Sequence, residues 1–194
     1  MYTKEIQMRC TSMNSDKLLY SAFCKGDIMA YEELVIRYRH SLVYFLMQYL
    51  KDYHNAEDIA QDVFAYIYIN PDNYSDKYEF KTYLFMIGKR RAIDFLRKNK
   101  KHEYVSMEDN SLEDIHSLED IIFQKENTLS IRKALDELKP EYSQVIILVY
   151  MNGFSLADTA AIVGKSVAAV KVLSHRAKKK LKQILEKGGN DYEI

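Results

Sequence analysis

Two prolines and six glycines in 194 residues leave this chain few places to break. Between them, apolar residues recur every three or four positions, the spacing of a buried helical face rather than the alternation of a strand. From Asp27 to Leu50 the run is Ile28, Tyr31, Leu34, Val35, Tyr38, Leu42, Phe45, Leu46 and Tyr49. The chain therefore reads as all-α. Its length permits one ordinary domain or two small ones. With 47% hydrophobic and 29% charged residues it is expected to pack rather than to stay disordered.

Several functional classes fall away early. Cys10 and Cys24 form no CxxC and precede no histidine cluster, so neither a disulfide scaffold nor a zinc site is expected. His40, His54, His102, His116 and His175 have no ligand spacing and no nucleophile partner, and read as surface or packing residues. No metal or cofactor is expected. No apolar run reaches the ~18 residues of a membrane span, and the first residues, MYTKEIQMRCTSMNSDK, contain no signal-peptide core. The expected location is the cytoplasm.

The formal net charge is zero, with 28 acids against 28 lysines and arginines, but the charges are segregated. Lys89 to Lys101, KRRAIDFLRKNKK, holds seven cations and the single acid Asp94. Lys165 to Lys182 holds seven cations and no acid. Glu103 to Glu126 carries eight acids and only Lys125 against them. Two basic helices flanking an acidic, poorly periodic stretch look like two polyanion-binding modules and a linker. The expected division is a helical domain over 1–101, a linker over 102–126, a second helical domain over 127–187 and a tail over 188–194. Free in solution, the acidic linker would lie against the basic modules.

Local signals place the helices. Asn55 is a candidate N-cap for AEDIAQDVFAYIYI, putting Glu57 and Asp58 in a first turn where the helix dipole favours anions. That helix has an inner stripe of Ala56, Ile59, Val63, Phe64 and Ile67 and an acidic outer face. NPDNYSDKYEFKT, Asn70 to Thr82, is a turn-rich loop with interleaved aromatics, and YLFMIGKRRAIDFLRK is a mixed apolar and basic helix. In the second half, Pro140 suits the first turn of PEYSQVIILVYMNG and Gly153 its end. Ser155 with Asp158 three residues on has the form of a capping box. Gly164 breaks that helix, and Ser166 caps a last helix running from Val167 to about Leu185.

A short helix, a glycine turn and a basic second helix are the layout of a helix-turn-helix, whose second helix enters the major groove of DNA. Ser166, Ala168 and Ala169 are small enough for close approach to base edges. Lys171, His175, Arg176, Lys178 and Lys179 follow where phosphates flank the groove.

ALDELKPEYSQVIILVYMNGFSLADTAAIVGKSVAAVKVLSHRAKKKL resembles the fourth region of bacterial sigma factors of the extracytoplasmic-function group. AEDIAQDVFAYIY with FKTYLFMIGKRRAIDFLRKNKK resembles their second region, in the same order and at a fitting separation. The resemblance implies a transcription initiation factor that is not an enzyme. Its partners would be core RNA polymerase, promoter DNA and an anti-sigma protein. Asp58, Gln61 and Asp62 would dock on the clamp helices of the polymerase largest subunit. Asn70 to Lys101 would melt the minus-ten element, with Lys89, Arg90, Arg91, Arg97 and Lys98 supplying charge. There Tyr74, Tyr78, Phe80 and Tyr83 are candidates to stack on unpaired bases, each stack worth roughly 1–3 kcal/mol. The acidic linker would run through core polymerase near its active centre. The helix-turn-helix, with Lys165, would read the minus-thirty-five element.

The chain departs from the family pattern in places. Tyr83 stands where the family usually has Trp, and Arg90 where Asn is frequent. VKVLSHRAK replaces the common VKSRLHRAR, so Val172 replaces a Ser and Leu173 an Arg that would reach phosphate. Promoter preference therefore does not transfer from relatives. A polymerase-independent helix-turn-helix regulator is the alternative reading, and it leaves AEDIAQD without a role. A Mg²⁺ nuclease built on Glu57, Asp58 and Asp62 is weaker, because those carboxylates have no partner motif.

Overall fold

The computed structural model describes residues 16–102 and 127–187, and all regular structure among them is helical. Of the linker expected over 102–126, His102 belongs to the last turn of the helix Phe80–His102, and residues 103–126, like the tail over 188–194, lie outside the described residues. The first half contains α1 (16–24), α2 (Ile28–Leu50), α3 (Tyr53–Ile69), a 3₁₀ turn at Pro71–Asn73, and α4 (Phe80–His102). The second half contains α5 (Asn127–Asp136), α6 (Pro140–Ile146), a π turn at Ile147–Met151, α7 (Leu156–Val163) and α8 (Val167–Lys187).

In the first half, α2 packs against both α3 and α4, burying the periodic face read from sequence. Leu34, Leu42, Phe45 and Leu46 are fully buried and meet Val63, Ile67, Leu84 and Phe85. Gly88 permits the close crossing of α4 over α2. A Cβ at that position would lie 2.8 Å from Leu42 Cδ1, inside van der Waals contact. Asp16 fastens α1 to α2: its buried carboxylate accepts hydrogen bonds from Arg37 and from the Tyr38 hydroxyl.

Helix α3 begins earlier than the Asn55 cap implies. Asp52 is the N-cap, its side chain accepting the Asn55 N–H at 2.7 Å. Asp and Asn cap about equally well, so the contest is decided by Tyr53, which packs against the core and rewards most of an extra turn. Glu57 and Asp58 consequently sit beyond the first turn, where the dipole has largely faded.

The second half follows its local signals more closely. Pro140 opens α6, and Gly153 and Gly164 occupy the left-handed region at φ 69° and 67°. PEYSQVIILVYMNG is not a uniform α-helix, however. Its last turn widens into the π turn, where the Asn152 N–H and its side-chain amide both reach the Ile147 carbonyl. Ser155 caps α7 by accepting the Asp158 N–H at 3.0 Å, and its hydroxyl donates to the Asp158 carboxylate. Ser155→Ala should lower stability by about 1 kcal/mol in a thermal melt, with Ser155→Gly costing less.

The two halves do not stand apart. Helix α4 lies along α7, and the start of the α6 segment touches α2. Phe85 of α4 and Phe154 of the loop before α7 meet edge to face, centroids 5.0 Å apart.

Candidate polymerase and nucleic-acid interfaces

Three surfaces carry the residues singled out from sequence. The first is the outer face of α3. Its buried stripe is Ala56, Ile59, Ala60, Val63, Phe64 and Ile67. A helix returns to the same face every three or four residues, so Asp58, Gln61 and Asp62 fall together on the opposite side, and all three are exposed. Glu57 does not join them, being ion-paired with Arg39 of α2.

The second surface is a groove of about 770 Å³ between α3 and α4. Tyr66, Asn73, Tyr83, Arg90, Arg91 and Arg97 line it. The Arg91 guanidinium stacks on the Tyr66 ring at 5.0 Å, and Asn73 donates its side-chain amide to the Tyr66 hydroxyl at 3.0 Å. Tyr66 was missed in the sequence reading, although it stands four residues after Asp62 and so lies on the adjoining edge of α3. Arg97 and Lys98 are exposed near the end of α4, with Arg97 held by Asp94 at 3.0 Å.

The four candidate stacking aromatics have different fates. Phe80 is 1% exposed and packs against Tyr20, Tyr38 and Tyr74. It belongs to the core, because the first turn of α4 must cover α1 and α2, and its ring is closed to a base. Tyr74 is half-buried; its hydroxyl donates to the Tyr78 carbonyl at 2.9 Å, and burial pushes its pKa up to about 12. Tyr78 is half-buried beside Lys77. Tyr83 lies 5.1 Å from Tyr74, and its hydroxyl pKa is raised by burial. Of the four, Tyr83 alone lines the groove.

The basic helix is also divided. Arg90, Arg97 and Lys98 reach solvent. Lys89 does not behave as a free cation, since its ammonium donates to the Val163 carbonyl at 2.6 Å. It lies on the α7 side of α4 and so does not join the exposed cations of that helix.

The third surface is α8. Val170, Ser174, Ala177, Leu181 and Leu185 are buried, which turns the opposite face outward. Ser166, Ala168, Lys171, His175, Arg176 and Lys179 are exposed on it, while Ala169 is partly covered. Ser166 caps the helix by accepting the Ala169 N–H at 3.2 Å, so this exposed face starts immediately after the turn. Lys165 is tied to Glu141 at 3.0 Å. Lys178 is half-buried over the Tyr150 ring at 5.2 Å, and the Tyr150 and Ser174 hydroxyls are hydrogen-bonded at 2.9 Å. Leu173 packs against the core, which explains why an apolar residue suits that position.

A helix-turn-helix with an exposed cationic second helix, in one chain with a helical half that carries an exposed acidic face, defines a DNA-binding protein of the helix-turn-helix class. Comparison with known proteins makes this specific. Residues 34–102 match Sigma-70 region 2, and residues 128–181 match Sigma-70, region 4. RNA polymerase sigma factor SigV of Bacillus subtilis (strain 168) is 30% identical over 139 residues, covering 72% of this chain and 81% of the relative. ECF RNA polymerase sigma factor SigW of the same organism is 29% identical over 171 residues, covering 83% and 91%. Among solved structures, CnrH in complex with the cytosolic domain of CnrY superposes with a TM-score of 0.62 at 23% identity, covering 89% of this chain and 98% of that one. The sigma factor RpoE in complex with the anti-sigma factor NepR from Bartonella quintana gives 0.63 at 22%, covering 80% and 96%.

The chain belongs to the extracytoplasmic-function group of the sigma-70 family. It is a transcription initiation factor that directs RNA polymerase to promoters. Among the described residues, no helix is long and apolar enough to cross a membrane.

Proposed function

We propose that the two modules divide the work of initiation between the surfaces just described. Asp58, Gln61 and Asp62 dock on a basic surface of core polymerase. Tyr83 and Tyr66 offer rings to unpaired bases of the minus-ten element, while Arg90, Arg91, Arg97 and Lys98 neutralise its backbone. The exposed face of α8 lies in the major groove at the minus-thirty-five element. There Ser166, Ala168 and Ala169 lie nearest the base edges, and Lys171, His175, Arg176 and Lys179 nearest the phosphates. Lys165 and Lys178 contribute charge at its margins. The observation that carries this reading is the separation of signs: an exposed acidic face on one module and an exposed cationic face on the other, each fitted to a partner of opposite charge.

The protein acts by binding, without catalysis of its own, in the cytoplasm where polymerase and chromosome are found. An anti-sigma protein is the partner we assign to its control, in keeping with the NepR complex of its structural relative.

Incubation of the full chain and bacterial core polymerase with a random duplex pool tests the reading. The bound fraction should share two elements about 25 base pairs apart, roughly 85 Å along the duplex. A Lys171→Ala, Arg176→Ala variant should lose enrichment of the upstream element. Its salt dependence should flatten by close to two units of log-log slope, about 0.9 for each lost phosphate contact. A single enriched element obtained equally well without polymerase would favour an independent DNA-binding regulator instead.

A further inference from the structure

Helix α1 lies ahead of the stretch that matches Sigma-70 region 2, which begins at residue 34. It nevertheless holds the loop that leads into the α3–α4 groove, chiefly through one side chain. Tyr20 is 5% exposed, and its hydroxyl donates to the Pro71 carbonyl at 2.7 Å. A phenylalanine would fill that place without taking a hydroxyl out of water. What the hydroxyl adds is a hold on the first residue of the 3₁₀ turn.

Two routes lead from Tyr20 to the groove. Along the backbone, the Pro71 carbonyl belongs to the turn Pro71–Asn73, and Asn73 at its end donates its side-chain amide to the Tyr66 hydroxyl at 3.0 Å. Through the rings, Tyr20 meets Tyr74 edge to face with centroids 4.7 Å apart, and Tyr74 meets Tyr83 at 5.1 Å. The routes end on Tyr66 and Tyr83, the two tyrosines that line the groove. They also share an origin, since the Tyr74 N–H donates to the same Pro71 carbonyl at 3.4 Å. Further along the loop, the Lys17 ammonium of α1 pairs with Asp76 at 3.2 Å. Both of those side chains are exposed, so that tie is weak and Tyr20 is the principal one.

We propose that Tyr20 is a positioning residue for base capture, holding Tyr66 and Tyr83 at the separation and tilt in which unpaired bases meet them. The proposal rests on the functional reading of the groove given above. Stacking on a ring that must first be ordered loses the entropy of ordering it. Loops are the most mobile parts of a fold unless tied down, and Tyr20 supplies the tie from a helix that Asp16 fastens to α2. Tyr31 is the matched comparison. It too is 5% exposed, and its hydroxyl also donates to a backbone carbonyl, that of Phe64 at 2.6 Å. Its ring neighbours are Phe23 and Tyr68 rather than the loop. Tyr20→Phe and Tyr31→Phe thus each delete one hydrogen bond of a buried tyrosine, and only the first deletes a tie to the groove.

In the full chain both variants should melt within about 4 °C of the parent and co-elute with core polymerase. Permanganate reactivity of thymines then reads the opening of duplexes that the parent and polymerase enrich from the random pool. Tyr20→Phe should lower the opened fraction about tenfold, the upper range for one neutral hydrogen bond, with Tyr31→Phe at the parent level. Opening by Tyr20→Phe equal to the parent, or an equal loss in both variants, overturns the positioning role. A second readout needs no polymerase. With 3-fluorotyrosine incorporated and the Tyr66 and Tyr83 signals assigned from their own Phe variants, Tyr20→Phe should shift both fluorine resonances in the free protein. Tyr31→Phe should leave them in place. Resonances of Tyr66 and Tyr83 that stay put in Tyr20→Phe overturn the proposal. If the parent itself opens no duplex, the functional reading has failed, and the fluorine spectra still decide whether Tyr20 positions the groove.

Discussion

An Asp58→Ala, Asp62→Ala variant should bind core RNA polymerase about a hundredfold more weakly than the parent, a loss of roughly 2.8 kcal/mol. Each carboxylate, once docked against a basic surface, is removed from water together with its partner. Truncating one member of such a pair leaves the other charge buried and unpaired, at a cost of about 2–5 kcal/mol. In the free protein the same residues are exposed on α3, so the variant should fold normally, with stability within about 0.5 kcal/mol. Co-elution with bacterial core polymerase on a sizing column reads the binding loss, and a thermal melt reads the stability. Glu57→Ala provides the contrast. That residue is half-buried at the margin of this face and already paired with Arg39, so polymerase binding should be little changed. Equal binding by parent and double variant would remove α3 from the polymerase interface.

The second large effect is on the fold. Phe45→Ala should destabilise the protein by about 3–5 kcal/mol, out of a total of about 5–15 for a chain of this kind. Phe45 is fully buried on α2, 5.2 Å from the Phe85 ring and 5.4 Å from Tyr49. It fills the space where α2 and α4 cross, and truncation leaves a cavity that helices already in contact at Gly88 cannot close. The urea midpoint should fall, with Phe45→Leu losing well under half as much. A midpoint unchanged by Phe45→Ala would mean that α2 and α4 do not cross there.

Much of this was legible before any coordinates. The three-and-four spacing of Leu34, Leu42, Phe45 and Leu46 marked the buried face of α2, and the spacing of Val63 and Ile67 did the same for α3. Ser155, Ser166, Pro140 and Gly164 marked helix ends because capping depends on hydrogen bonds and dihedral angles only a few residues apart. The family resemblance was carried by the same stretches that match regions 2 and 4. Where local signals tied, they did not decide. Asp52 and Asn55 are equally good caps, and it was core packing by Tyr53 that selected Asp52. The π turn at Ile147–Met151 had no signature in an unbroken apolar run, because its widening is paired with contacts of Asn152 and Phe154.

What the amino-acid order determined alone was the inventory: helices, most of their ends, the segregation of charge and the family motifs. All of these follow from periods and hydrogen bonds spanning a handful of residues. Which members of each chemical set would face solvent was decided only by the tertiary structure. Phe80 and Tyr83 are three residues apart in one aromatic cluster, yet one is core and the other lines a groove. Lys89 and Arg90 are neighbours in one basic run, yet Lys89 is spent on a carbonyl 74 positions away while Arg90 reaches solvent. Burial is a property of the surface that arrives from elsewhere in the chain, and no local pattern records where that surface comes to rest.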